Sequence, residues 1–181
     1  MSIKITYFVH GTTTDNEQGI ATGILPGKLS ELGLKQSKKL RKILKYKHFD
    51  IVFCSDLKRS IDSANISFAD KYKIIQDKRL RECDYGDFNG KPVKQFKIDI
   101  HRHINIPYKN GENYKDVEKR IGSFIDFLKE NYDNKNIAIV SHHAPQLAFE
   151  VLLNEKTWKQ AIDEDWRKTK SWQPGWKYII R

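Results

Sequence analysis

The chain has 181 residues, a formal net charge of +10, 31% charged residues and 39% hydrophobic ones, which fits one soluble globular domain with a sizeable buried core. No apolar run approaches the roughly 18 residues needed to span a bilayer, and Met1-Ser2-Ile3-Lys4 lacks the apolar stretch of a signal peptide. The two cysteines, Cys54 and Cys83, make no CxxC pair and no disulfide framework, so the expected compartment is the cytoplasm.

The elements follow in chain order. Ile3-Lys4-Ile5-Thr6-Tyr7-Phe8-Val9 reads as a strand that runs into His10-Gly11. A helix is expected from Ser30 as N-cap, with Glu31 in its first turn, to near Tyr46. Much of the positive charge lies on it: Lys35, Lys38, Lys39, Arg41, Lys42 and Lys45 flank Leu40, Ile43 and Leu44. That pattern describes a solvated helix face, and no RNP-type or zinc-finger motif argues for nucleic acid. Ile51-Val52-Phe53-Cys54 is a second strand, leading to Ser55-Asp56-Leu57-Lys58-Arg59 and a helix with Ile61, Ala64 and Phe68 inward. Lys73-Ile74-Ile75 is a short strand. The segment 84–111, with Gly86, Gly90, Pro92 and Pro107, lacks periodicity and reads as a cap insertion. Val117, Ile121, Phe124, Ile125 and Leu128 recur at helical spacing. Ile137-Ala138-Ile139-Val140-Ser141 is a strand ending at His142-His143, and Pro145 suits the first turn of the next helix. Pro174-Gly175 precedes a last strand, Trp176-Lys177-Tyr178-Ile179-Ile180. Strands alternating with amphipathic helices predict a single α/β domain over residues 1–181, a three-layer α/β/α sandwich around a mostly parallel sheet.

Two histidines distant in the chain, His10 and His142, thus each follow an apolar strand. In a parallel sheet both strand ends lie on one edge, the edge where open α/β sheets bind ligands. Arg59 would reach the same edge from the first turn of a helix, where backbone N–H groups already favour a phosphate; the competing reading is a surface ion pair with Asp62. The small and hydroxyl-bearing residues after His10 allow close approach to an anion, although an ordinary loop with an N-cap would look the same. Glu82, between apolar and aromatic neighbours, has an environment expected to keep an acid protonated; pairing with Arg79 or Arg81 is the alternative. A zinc site on His10, His142 and His143 lacks a suitably placed further ligand motif.

Together these residues resemble the histidine phosphatase superfamily, also called phosphoglycerate mutase-like. Its opening pattern, strand-Arg-His-Gly-Glu-Thr followed by an asparagine and two glycines, is matched by His10, Gly11, Thr13, Asn16, Gly19 and Gly23. Gly27 to Gln36, Ser55-Asp56-Leu57-Lys58-Arg59, Leu80 to Gly90, Gly111-Glu112 and Ser141-His142 match its later motifs in order. The resemblance implies a phosphomonoester hydrolase that needs no metal or cofactor and acts on a small phosphorylated metabolite. His10 would be the nucleophile that becomes a phosphohistidine. Glu82 would be the general acid and base, and Arg59 and His142 would bind the phosphoryl group. Gly11, Thr13, Asn16, Gly23 and His143 are the matching phosphate- or substrate-binding positions.

The chain departs from the pattern at Val9, where the family has arginine before the histidine. Losing one preorganised donor typically costs about 2.7–4 kcal/mol of transition-state stabilisation. Either another cation (Lys28, Lys58, Arg81 or His143) serves instead, or the protein is a weakened or inactive relative that binds phosphorylated ligands. Phosphoglycerate mutase-type transfer is a further alternative, disfavoured by the short cap. Within that cap Lys94, Lys97, His101, Arg102 and His103 could meet a second anionic group or form a solvated basic loop. Trp158, Trp166, Trp172 and Trp176 read as packing residues or a subunit contact, the latter giving a possible homodimer. Neither nucleic acid nor membrane is an expected partner.

Overall fold

The computed structural model describes residues 2–95, 97–169 and 175–181. Strand β1 (Ile3–Val9) leads through a one-turn helix, α1 (Thr14–Glu17), and a short strand, β2 (Ile20–Ala21), to α2 (Glu31–Ile43). Then come β3 (Ile51–Cys54), α3 (Lys58–Phe68) and β4 (Ile74–Gln76). Short 3-10 turns at Lys78–Leu80, Gly86–Phe88, Val93–Gln95 and Lys97–Ile104 surround β5 (Lys91–Pro92). The chain ends with α4 (Tyr114–Asn131), β6 (Asn136–Ser141), α5 (His143–Leu153), α6 (Trp158–Asp163), α7 (Trp166–Thr169) and β7 (Trp176–Ile180).

Five strands form one sheet in the order β4-β3-β6-β1-β7. β4, β3, β6 and β1 are mutually parallel, and β7 pairs antiparallel to β1. The central strand β6 is apolar along its length because both faces are covered; Ile137, Ala138, Ile139 and Val140 are all buried. On one face Ile5 and Tyr7 join the inward stripe of α4 and residues of α5. On the other, Phe8 and Val140 pack with Leu44, Ala64 and Phe68 from the α2–α3 side. The α/β/α layering with a mostly parallel sheet is therefore the observed architecture.

Local chemistry sets the element ends, at Ser30 as the sequence predicts and at Asn113 as the structure adds. The Ser30 hydroxyl accepts from the Gly33 N–H to cap α2, and Asn113 and Asp116 make a reciprocal capping box on α4. Less predictable are α1, α6, α7 and the β2–β5 pair, all too short to carry a periodic signal. The β2–β5 pairing joins the cap to the loop after His10. Gly23 fits there because its φ is +55° and a Cβ would lie 1.8 Å from the Asn89 Oδ1 atom.

Three of the four tryptophans pack against aromatic neighbours within the chain. The Trp158 ring centroid lies 5.2 Å from that of Tyr114, and Trp166 and Trp176 lie 5.6 Å apart; Trp158 and Trp176 are buried. Packing accounts for these three residues without a subunit contact, while Trp172, Pro174 and the Lys97 side chain lie outside the described residues. Among the described residues no helix is long and apolar enough to cross a membrane.

Candidate active site

The parallel register pairs Val9 with Ser141, so the next residues, His10 and His142, emerge side by side with ring centroids 5.0 Å apart. The His10 amide extends the ladder to the Ser141 carbonyl at 3.0 Å. Its Nδ1 lies 2.7 Å from the Gly11 carbonyl. A carbonyl can only accept, so Nδ1 carries the proton and Nε2 keeps its lone pair. Arg59 Nε donates to that lone pair at 3.2 Å. Burial and the Arg59 charge push the His10 pKa down to about 3.

Arg59, 1% exposed, comes from the first turn of α3. Its Nη1 and Nη2 donate to the Leu25 and Gly23 carbonyls at 2.7 and 2.6 Å. It makes no surface pair with Asp62, which Lys58 takes instead. His142 is fully buried, and neither ring nitrogen has a hydrogen-bond partner among the described residues. Burial first, then Arg59 and His10, hold its pKa well below the ordinary value. A buried imidazole with both nitrogens unsatisfied is costly unless a ligand supplies the partner.

Glu82 corrects one expectation. Its carboxylate is not in an apolar pocket but at the N-terminus of α5, where Oε1 accepts from the Cys83 and Ala144 amides at 2.9 Å each. Oε2 accepts from the His143 amide at 3.2 Å. Burial opposes ionisation, but His143, these amides and Arg59 outweigh it and hold the pKa below the usual carboxylate value. Neither arginine offered as its partner pairs with it: Arg79 binds Asp77 and Arg81 binds Asp56.

Two cavities meet at these groups. A small one of about 70 Å³ is lined by His10, Asn16, Gly23, Arg59, Glu82 and Arg167, among others. A larger one of about 510 Å³ is lined by Val9, His10, Gln36, Val93, His143 and Arg167, among others.

A protein-family model described as "Histidine phosphatase superfamily (branch 1)" matches residues 7–171. The chain belongs to that superfamily. Its relatives include phosphoserine phosphatase 1 of Hydrogenobacter thermophilus, 29% identical over 155 residues, covering 81% of this chain and 74% of that protein. Adenosylcobalamin/alpha-ribazole phosphatase of Escherichia coli is 29% identical over 143 residues, 74% of this chain and 70% of that one. Bacillus stearothermophilus YhfR has the same fold at a TM-score of 0.79 and 22% identity, over 88% of this chain and 83% of that one.

In this member of the superfamily the structure gathers His10, Arg59, Glu82 and His142, and it sorts the remaining expected residues. Asn16 lines both cavities; its Oδ1 is occupied by the Thr13 amide, which leaves the side-chain N–H₂ to donate. Thr13 is buried as the cap of α1 and lines neither cavity. The Gly11 N–H is committed to Ser63 Oγ at 2.9 Å, so Gly11 acts here through the carbonyl that orients His10. Gly23 likewise presents its carbonyl to Arg59. His143 sits in the larger cavity wall, but its ring is engaged elsewhere: Nε2 is 2.9 Å from Asp165 Oδ2 and Nδ1 is 2.7 Å from Arg167 Nη2.

Of the cations considered as substitutes for the arginine absent at Val9, none reaches the site as a free charge. Lys58 and Arg81 are in exposed ion pairs, and Lys28 lines a separate groove with Thr14 and Glu17. Burial and Arg167 keep the His143 pKa below its ordinary value. The cap residues Lys94, His101, Arg102 and His103 line neither cavity; His101 pairs with Asp163 and His103 stacks on Tyr108. Sequence reasoning missed Arg167 and Asp165. They lie in a four-residue helix and its flank, where no periodicity or motif marks them.

Proposed function

We propose that the protein hydrolyses a small phosphomonoester through a phosphohistidine formed on His10 Nε2. One observation carries the reading: His10 is held as the Nδ1–H tautomer by Gly11, with its Nε2 lone pair beside a buried guanidinium and a cavity of about 70 Å³. A phosphoryl group entering that cavity takes over the Arg59 Nε–H and offers an acceptor to the unsatisfied His142 ring. Nε2 then attacks phosphorus in line, and the bond from phosphorus to the leaving oxygen breaks. Glu82 gives its proton to that oxygen, so an alcohol departs. In the second step Glu82 takes a proton from water, the water oxygen attacks phosphorus, the N–P bond breaks, and orthophosphate leaves with His10 restored.

Glu82 is ionised in the free protein. A phosphoryl dianion beside it raises its pKa, so substrate binding itself loads the proton that the leaving group needs. Oε2, with a single backbone donor, has the free lone pair to carry it. The phosphoryl charge is met by Arg59, His142 and the Asn16 amide, the electrostatic stabilisation on which phosphoryl transfer chiefly depends. The names of the relatives support hydrolysis of a small phosphorylated metabolite, and the larger adjoining cavity has room for its leaving group.

The test is a phosphate-release screen over small phosphomonoesters with a chelator present, using wild type and His10→Ala. Release by the wild type that falls at least about a thousandfold in the variant supports the route. Equal release by both proteins refutes it. A requirement for a bisphosphate primer, with little free phosphate, would assign the mutase reaction instead.

A further inference from the structure

We propose that Arg167 is the second guanidinium of this site and binds the transferring phosphoryl group where the two cavities meet. The inference rests on the phosphoryl-transfer reading above and adds to it a residue from the far end of the chain.

Arg167 lines the small cavity together with His10, Arg59 and Glu82, and the larger one together with Val9. Position 9 and Arg167 therefore border one space, the larger cavity, which an arginine at either position would serve. The charge balance calls for such a group. Burial and Arg59 keep His10 and His142 neutral, Glu82 is ionised, and the lone charge of Arg59 only cancels that of Glu82. Two of the Arg59 nitrogens are also spent on backbone carbonyls. A dianionic phosphoryl group placed there meets too little positive charge without a further cation.

Arg167 is held ready for that task. Its Nε lies 3.1 Å from Asp165 Oδ2, and Nη2 donates to His143 Nδ1 at 2.7 Å. Its own amide donates to Asp165 Oδ1 at 2.9 Å. Asp165 is 5% exposed and accepts from His143 Nε2 as well. His143 thus receives a proton donor on one nitrogen and gives its own proton on the other, which locks ring and guanidinium together. Nη1 has no partner among the described residues, and the side chain remains 34% exposed. A simple surface pair two residues apart would need neither the buried aspartate nor the histidine. Fixing a donor in advance is what makes it effective on a developing charge.

The experiment compares wild type, Arg167→Gln and Arg167→Gln/Val9→Arg, each checked for fold by circular dichroism and thermal melting. Glutamine keeps a donor for His143 while removing the charge. The expected result is a loss of about 10²–10³-fold in kcat/KM for Arg167→Gln, with at least about tenfold recovered by adding Val9→Arg. Calorimetric titration with orthophosphate should show at least about tenfold weaker binding by the single variant. Activity and orthophosphate affinity within threefold of wild type overturn the proposal. So does a loss of turnover with unchanged orthophosphate affinity and no recovery by Val9→Arg, which makes Arg167 only a prop for the fold. If the wild type releases no phosphate, or His10→Ala matches it, the catalytic reading fails separately. The orthophosphate titration then decides on Arg167 alone, an unchanged Kd overturning it and a tenfold weaker one supporting it.

Discussion

Arg59 Nε donates to His10 Nε2 across 3.2 Å, so the atom assigned as nucleophile is already hydrogen-bonded in the free protein. The same guanidinium is tied to Leu25 and Gly23. Replacing it therefore has two separable effects. Arg59→Gln should lower kcat/KM by at least about a hundredfold and cost roughly 2–4 kcal/mol of stability through the buried carbonyls it leaves unpaired. The acid limb of the kcat/KM profile should also move up in pH, because the charge that depresses His10 is gone. Arg59→Lys should restore little, since one ammonium cannot replace three fixed nitrogens. Rates against pH and urea midpoints check these outcomes together.

Glu82→Gln separates proton donation from fold. With a poor leaving group such as an alkyl phosphate, kcat/KM, which reports the step that forms the phosphohistidine, should fall by about 10²–10⁴. With 4-nitrophenyl phosphate, whose leaving oxygen needs no proton, the loss in kcat/KM should be under about tenfold. An equal loss on both substrates would remove the general-acid role. The variant should also be less stable by about 1–3 kcal/mol, because its amide N–H₂ now faces a backbone donor that Glu82 accepts from.

Stability should decline on mild acidification. His10, His142 and His143 all have folded-state pKa values below 6.5, with burial the leading cause in each. As the pH falls through the unfolded value, the unfolded chain binds protons that the folded one refuses. The stability they permit is therefore complete above about pH 6.5 and drains away below it. His10 alone should contribute roughly 1 kcal/mol of loss between about pH 7.5 and 5.5, and the other two add to it in the same direction. Urea midpoints at the two pH values measure this, and a flat profile would contradict the buried neutral histidines.

Gly33→Ala tests how the nucleophile loop is seated. A Cβ at Gly33 would lie 2.0 Å from the Thr12 carbonyl oxygen, and one at Gly11 2.6 Å from the Gly33 oxygen. The loop after His10 thus rests backbone to backbone on α2. The substitution should cost about 1–3 kcal/mol and lower kcat/KM at least about tenfold by moving His10. A thermal melt and initial rates report the two effects.

Much of this site was legible before the structure because it is built on regular elements. His10 and His142 follow apolar strands whose pairing is parallel, and Arg59 occupies the first turn of a helix of ordinary length. The ionisation of Glu82 was misjudged because its chain neighbours are visible in sequence, whereas the Ala144 and His143 amides come from a distant helix. Arg167 was invisible for a related reason. Its place depends on a buried aspartate and on His143, contacts that no periodicity encodes. The resemblance drew attention to Val9 and its immediate surroundings, while the nearest available guanidinium lies near the other end of the chain.

The antiparallel strand β7 has a consequence for the order in which the protein is made. β1, which delivers His10, is synthesised long before β7, yet one of its two edges is closed by Trp176–Ile180. Arg167 also emerges late. A nascent chain that has made β6 therefore keeps one edge of its nucleophile strand unpaired until residues 176–180 emerge, exposing a hydrogen-bonding edge that invites intermolecular pairing. Closure of that edge and of the pocket beside it waits on β7, and a polypeptide stopped before β7 should be both inactive and prone to aggregate.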